Sequence, residues 1–219
     1  MPSHLKIDVF TDVVCPWCLV GSVRLDKAVD RLPQGIDVTI LNHPFYLDPT
    51  TPEEGVDNDE VLRAKYGRDP RELYERVEQE AAKSGIVLDL SAQPRRYPTA
   101  KAHTLTRLAL PYGTQHPLAN AIAEAYFLDH LQINDDNVLA DLAERHGFDR
   151  GEAMDAINDP VQLVETERLA NAAAAQGIRG VPFFVFNQKY ALSGAQPEDV
   201  FIEAIERTLA EDDPDVERA

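Results

Sequence analysis

The chain has only two cysteines in 219 residues, and they stand three positions apart, at Cys15 and Cys18. That excludes a secreted disulfide scaffold, which spreads several pairs along the chain to close loops. A four-ligand structural zinc site would need a second cysteine pair, and none of the six histidines is paired at zinc-finger spacing, so no metal is expected. Positive charge is also scarce: 21 basic residues face 38 acidic ones, for a formal net charge of −17. A polyanion has little basis for binding nucleic acid or an anionic membrane surface, and neither is expected as a partner. Long hydrophobic runs are missing too, with no stretch of about 18 apolar residues such as a membrane span needs. The segment MPSHLKIDVF contains no apolar signal core followed by a small-residue cleavage site, so a cytoplasmic location is expected.

Hydrophobic residues make up 44% of the chain, enough to bury a sizeable core. Residues 5–10 are apolar and β-favouring and predict a buried strand. From Pro16 to about Leu32 the pattern is helical, with Leu19, Val23, Ala28 and Val29 on one face and Arg24 off it; Pro33 and Gly35 stop the helix. Residues 36–41 predict a second strand. The middle is helical, punctuated by Asp69-Pro70-Arg71-Glu72, Pro98, Pro117, Asp135 and Asp149-Arg150-Gly151-Glu152, and by an alanine-rich segment closed by Gly177. The end returns to β: residues 183–186, a turn at Asn187-Gln188, and a return strand at 189–192. A final helix after Pro197 carries Phe201, Ile205 and Leu209 on one face, and the acidic tail is expected to fray. Strands at both ends of the chain imply one sheet, capped by the helices between.

The chemistry lies in Thr11-Asp12-Val13-Val14-Cys15-Pro16-Trp17-Cys18. Cysteines at i and i+3 share a helix face, about one turn apart. A helix N-terminus carries unpaired N–H groups and partial positive charge, which favours a thiolate, the form that attacks disulfides. Cys15, at the exposed end, is expected to attack a substrate disulfide with depressed pKa, and Cys18, one turn inside, to resolve the mixed disulfide. Two inert buried cysteines are the competing reading. Asp12 either accepts protons near the thiols or caps the turn, and Trp17 presents an apolar surface beside the sulfurs. His103 is a candidate for the active-site cleft, against the plainer reading of a satisfied core or surface histidine. His43 is read as loop structure. Arg95 and Arg96 are read as solvated, with contact to an anionic thiol cofactor as the alternative. Gly180-Val181-Pro182 precedes a strand, where proline belongs because it cannot donate to a ladder.

These segments resemble the DsbA family: Asp12 to Cys18, then Gly177-Ile178-Arg179-Gly180-Val181-Pro182-Phe183-Phe184-Val185, then Ala191-Leu192-Ser193-Gly194-Ala195-Gln196. The FrnE-like branch of cytoplasmic dithiol oxidoreductases is the nearest likeness. The resemblance implies an α/β chain with a thioredoxin fold interrupted by a helical insertion. Residues 1–48 and 177–212 would form the thioredoxin part, 49–176 the insertion and 213–219 an acidic tail. It implies Cys15 as nucleophile, Cys18 as resolving thiol, Pro182 as a cis-proline facing the disulfide, and Val181 offering backbone hydrogen bonds to substrate, with Pro16 and Trp17 beside it. The expected function is disulfide exchange or isomerisation on protein or small-molecule disulfides. No bound cofactor is expected beyond the Cys15–Cys18 pair, with a low-molecular-weight thiol or a reductase as electron donor. Trp17 stands where periplasmic members commonly carry histidine, so an intermediate reduction potential is expected, between roughly −270 and −120 mV. Kappa-class glutathione transferases and 2-hydroxychromene-2-carboxylate isomerases share the layout but typically have serine in place of Cys15; a thiol-dependent transferase or isomerase is the alternative function, and a non-catalytic binding module the second.

Overall fold

The computed structural model describes residues 4–212, so the acidic tail lies outside the described residues. A four-stranded sheet unites the two ends of the chain in the order β2-β1-β5-β6. Its strands are β1 (His4–Thr11), β2 (Asp37–Pro44), β5 (Phe183–Phe186) and β6 (Tyr190–Ser193). β1 runs parallel to β2, with Ile7 opposite Ile40, and antiparallel to β5, with Val9 opposite Phe184. Phe186 pairs with Tyr190, and the three-residue loop between them places Asn187 and Gln188 at φ of 44° and 58°, in the left-handed region.

Alternation along the strands gives the sheet two covered faces. Leu5, Ile7 and Val9 join Phe184 and Phe186 beneath α1 (Pro16–Asp30) and α9 (Glu198–Asp212), which contribute Leu25, Ala28, Phe201 and Ile205. Each such side chain contributes about 1.5–3 kcal/mol when fully buried. Phe10, Phe183 and Val185 point the other way and meet Ala173 of α8 (Pro160–Ala175) and Ile178 just beyond it.

Between the strands lie α2 (Asn58–Tyr66), α3 (Pro70–Lys83), α4 (Ala100–Leu108), α5 (Gln115–Phe127), α6 (Asp136–Glu144) and α7 (Arg150–Asn158). Aspartate caps many of them: the side chains of Asp57, Asp69, Asp135, Asp149 and Asp159 each accept from an amide of the first turn. Their core, with Leu105, Leu118, Ile122, Tyr126 and Leu139, runs on into Val13, Val14, Leu19 and Val20 of the cysteine segment. A two-residue ladder of β3 (Val56–Asp57) and β4 (Arg95–Arg96) sets Val56 opposite Arg96. Gly55 makes that approach feasible, since a Cβ there would stand 2.6 Å from the Arg96 carbonyl oxygen.

Two sequence expectations are corrected. Arg24 is buried on α1 while Val23 and Val29 are only partly so, because α1 is covered by helices as well as by the sheet. Its guanidinium donates to Ser84 Oγ, to the Glu80 carboxylate and to the Ala195 carbonyl, which satisfies the buried charge. His43 is no loop residue. It sits in β2, stacks on Phe10 at 4.7 Å and hydrogen-bonds Asp8 at 2.7 Å.

Candidate active site

β1 ends at Thr11 and the chain turns within four residues, closed by a hydrogen bond from the Cys15 amide to the Asp12 carbonyl at 3.0 Å. Cys15 is then the N-cap of α1, in extended backbone, with Pro16 in the first helical turn where no N–H is needed. Its carbonyl accepts from the Cys18 amide at 2.9 Å, the first hydrogen bond of the helix. Both cysteines are free thiols. The expected contrast in exposure is absent: each residue is 5% exposed. They differ in what they face. Cys15 opens on a cleft of about 480 Å³, while Cys18 lines a small inner cavity of about 20 Å³.

The Cys15 thiol donates to the Val181 carbonyl at 3.6 Å, so residues 166 apart in sequence meet at the reactive sulfur. The Val181–Pro182 bond is cis. Val181, Pro16 and Trp17 line the larger cleft, and the Pro182 ring packs inward, within about 3.0 Å of where a Cβ on Gly21 would stand. Val181 rather than Pro182 is therefore the residue this chain presents to the cleft. Burial pushes the Cys18 thiol well up, and its hydrogen bond to Cys15 and the charge there push the same way; the Asp12 amide pulls it down and the Asp12 charge adds a further upward push. Cys18 is thus held protonated while Cys15 faces the opening.

Behind Cys18 lies a pairing that neither residue reveals alone. Asp12 and His103 are 2% and 4% exposed, and Asp12 Oδ1 stands 3.2 Å from His103 Nε2. Asp12 Oδ2 accepts from the Leu47 amide at 2.7 Å. Both side chains line the inner cavity with Cys18, so His103 belongs to the inner side of the site and not to the outer cleft. The cavity has room for one water-sized guest and polar walls from Ser22, Asn42 and Asn120. Tyr46 was not foreseen: its ring tilts against His103 at 5.7 Å, its buried hydroxyl has no hydrogen-bond partner, and burial beside Asp12 pushes its pKa up. No local pattern marks it.

A family model of DSBA-like thioredoxin domains matches residues 6–206. The chain belongs to that family. Its fold, a mixed α/β thioredoxin fold with large helical content, is the one the resemblance implied. The crystal structure of the probable DsbA oxidoreductase SCO1869 from Streptomyces coelicolor is 31% identical, with a TM-score of 0.84 over 96% of this chain and 92% of that one. The uncharacterized protein YwbO of Bacillus subtilis (strain 168) is 28% identical over 216 residues, covering 94% of this chain and 96% of YwbO. The cytosolic disulfide reductase DsbM of Pseudomonas aeruginosa, solved with GSH, shares the fold at 20% identity and a TM-score of 0.60, over 93% of this chain and 98% of DsbM. The DSBA-like family is one of oxidoreductases that act on disulfides. Among the described residues no helix is long and apolar enough to cross a membrane.

Proposed function

We propose that this protein is a thiol–disulfide oxidoreductase working through Cys15 and Cys18. The observation that carries the reading is the pair of free thiols at the head of α1, Cys15 facing an open cleft and Cys18 facing a small inner cavity behind it. The Cys15 thiolate attacks a substrate disulfide, forming a mixed disulfide and releasing one thiol. Cys18 then gives up its proton and attacks the Cys15 sulfur, releasing the second thiol and leaving a Cys15–Cys18 disulfide. Asp12, with His103 behind it, is the acceptor for the Cys18 proton. The Val181 carbonyl and amide offer edge hydrogen bonds to a bound substrate, and Trp17 and Pro16 offer apolar contact. A thiol reductant or reductase returns the pair to its dithiol form.

Two free thiols three residues apart at the start of α1 favour exchange over the single-thiol transferase or isomerase chemistry, for which Cys18 would be superfluous. We place the protein in the FrnE-like branch on its two matching motifs, and in the cytoplasm because no cysteine is spent on a structural cross-link. Segments 1–48 and 177–212 carry the exchange chemistry in this reading, and segment 49–176 supplies the far wall of the cleft.

The test is the reduction potential of the pair in a defined thiol buffer, with Cys15→Ser and Cys18→Ser as controls. A reversible two-electron transition between roughly −270 and −120 mV is expected. If folded protein forms no intramolecular disulfide, the dithiol reading fails and single-thiol chemistry replaces it.

A further inference from the structure

The cleft over Cys15 is charged against the grain of the molecule. Acidic residues outnumber basic ones by 38 to 21, yet Lys65, Arg76, Arg96 and Arg179 line this one cavity and no Asp or Glu does. Several cations elsewhere on the molecule have found carboxylates: Arg24, Arg31, Arg63, Arg68, Arg150 and Arg168 all make ion pairs. Among the described residues, none of the four cleft cations makes one. Arg76 lies over the Trp17 ring at 5.9 Å and Lys65 over the Tyr66 ring at 5.5 Å. Two acids stand near it: Asp59 accepts from the Tyr74 hydroxyl at 2.9 Å and pairs with Arg63, and Asp48 is held by the Thr50 amide and hydroxyl and is further lowered by the charges of Arg96 and Lys65.

Arg96 adds an independent sign. Its Nε is buried and has no hydrogen-bond partner. A buried guanidinium donor left unmade is costly; protein atoms cover Nε, so a ligand would be met by the terminal N–H groups of Arg96, whose fork geometry fits a planar acceptor such as a carboxylate. The residue is not free to swing away at its backbone, since β4 pairs with β3 and Gly55 sits against the Arg96 carbonyl. The cleft volume of about 480 Å³ matches a small molecule.

We propose that this cleft is a binding site for a small polyanionic disulfide and the thiol derived from it, with Arg96 as the deep contact for a carboxylate and Lys65, Arg76 and Arg179 around it. The proposal rests on the exchange reading and names its substrate class. The reaction balances within the named species. Cys15 displaces one anionic thiol from the disulfide, and Cys18 displaces the second. Two electrons pass from the cysteine pair to the substrate sulfurs, and the two cysteine protons end on the two released thiols.

Two measurements separate the proposal from the reading beneath it. The first is calorimetric binding of S-methylglutathione, which carries carboxylates but cannot exchange, to wild type, Arg96→Gln and the rim variant Lys65→Gln. Saturable, salt-sensitive binding is expected, weakened about tenfold or more in Arg96→Gln and less in Lys65→Gln. No binding to wild type, or binding to both variants as tight as to wild type, overturns the proposal. Should Arg96→Gln fail to fold, Lys65→Gln decides alone: weakening supports the site and unchanged affinity overturns it. The second is the rate at which oxidised glutathione and the uncharged hydroxyethyl disulfide each oxidise the reduced protein. The ratio of the two rates is expected to fall about tenfold in Arg96→Gln, and an unchanged ratio overturns the proposal. If S-methylglutathione binds but neither disulfide oxidises the cysteine pair, the exchange reading has failed and the anion site stands.

Discussion

The Asp12 carboxylate has two partners, the Leu47 amide and the His103 ring, and almost no contact with solvent. Two opposing effects follow from removing its charge. The Asp12 charge pushes the Cys18 thiol up, so Asp12→Asn eases thiolate formation, but it is the last of the upward pushes, behind burial and the contact with Cys15. Loss of a positioned proton acceptor typically slows a step by about 10²–10⁴-fold, and this effect should win. Rapid-quench mass spectrometry of a mixed disulfide on Asp12→Asn is therefore expected to show attack by Cys18 slowed about a hundredfold. Resolution at the wild-type rate across pH would leave Asp12 a structural residue, holding Leu47 and the turn.

At the scale of elements, α1 joins the thiols to the rest of the site, and Gly21 is its contact point. An added Cβ would meet Pro182 Cγ at 3.0 Å and Phe184 Cζ at 3.1 Å. Alanine gains about 0.8–1.0 kcal/mol over glycine in helix propensity, while overpacking costs about 1–3 kcal/mol. Neither neighbour is a loose side-chain end: Pro182 is a ring and Phe184 is fully buried. Gly21→Ala is expected to lose about 1 kcal/mol net in urea unfolding and to slow disulfide exchange, because the displaced segment carries Val181. A stabilised, fully active variant would refute the contact. Here the reach of the sequence shows clearly. Elements with apolar periodicity or a capped start were legible: β1, α1, α3, α5 to α8 and the β5–β6 hairpin all lie close to where their patterns put them. α2 was not foreseen, although Asp57 and Glu60 mark its start and Gly67 its end, because it buries no residue and so has no apolar stripe to read. Cys15 and Cys18 were legible because their spacing is local. Their surroundings were not, since Asp12 and His103 meet across 91 positions and nothing in either segment encodes the partner.

The whole molecule carries a charge of −17, so its response to acid is a contest. Protonation first relieves self-repulsion. Against that, several carboxylates are held below their usual range. Burial raises Asp8, but hydrogen bonds from His43 and Lys6 more than reverse it; hydrogen bonds from Lys83 and Arg24 lower Glu80. A carboxylate with a depressed folded pKa stabilises the fold above its unfolded value, about 3.9 for aspartate, and that contribution is lost as pH falls through the folded value. Stability by denaturant titration is expected to hold down to mildly acidic pH and to fall below about pH 4. Asp8→Asn should flatten that acid limb, and an acid limb as steep as wild type's would mean other groups carry it. Added salt at neutral pH should stabilise, by screening the excess negative charge.

β1 is flanked by one strand that follows it closely and by another that arrives only near the end of the sequence. During synthesis, then, the two thiols leave the ribosome long before Val181 does. At about 5–20 residues per second, the 166 positions between Cys15 and Val181 take roughly ten to thirty seconds to translate. Through that interval the nascent chain carries its reactive motif without the carbonyl that faces it or the β5 strand that pairs with β1. The polypeptide acquires a finished redox centre only as its last strands emerge, and a product truncated before residue 181 has thiols without a site.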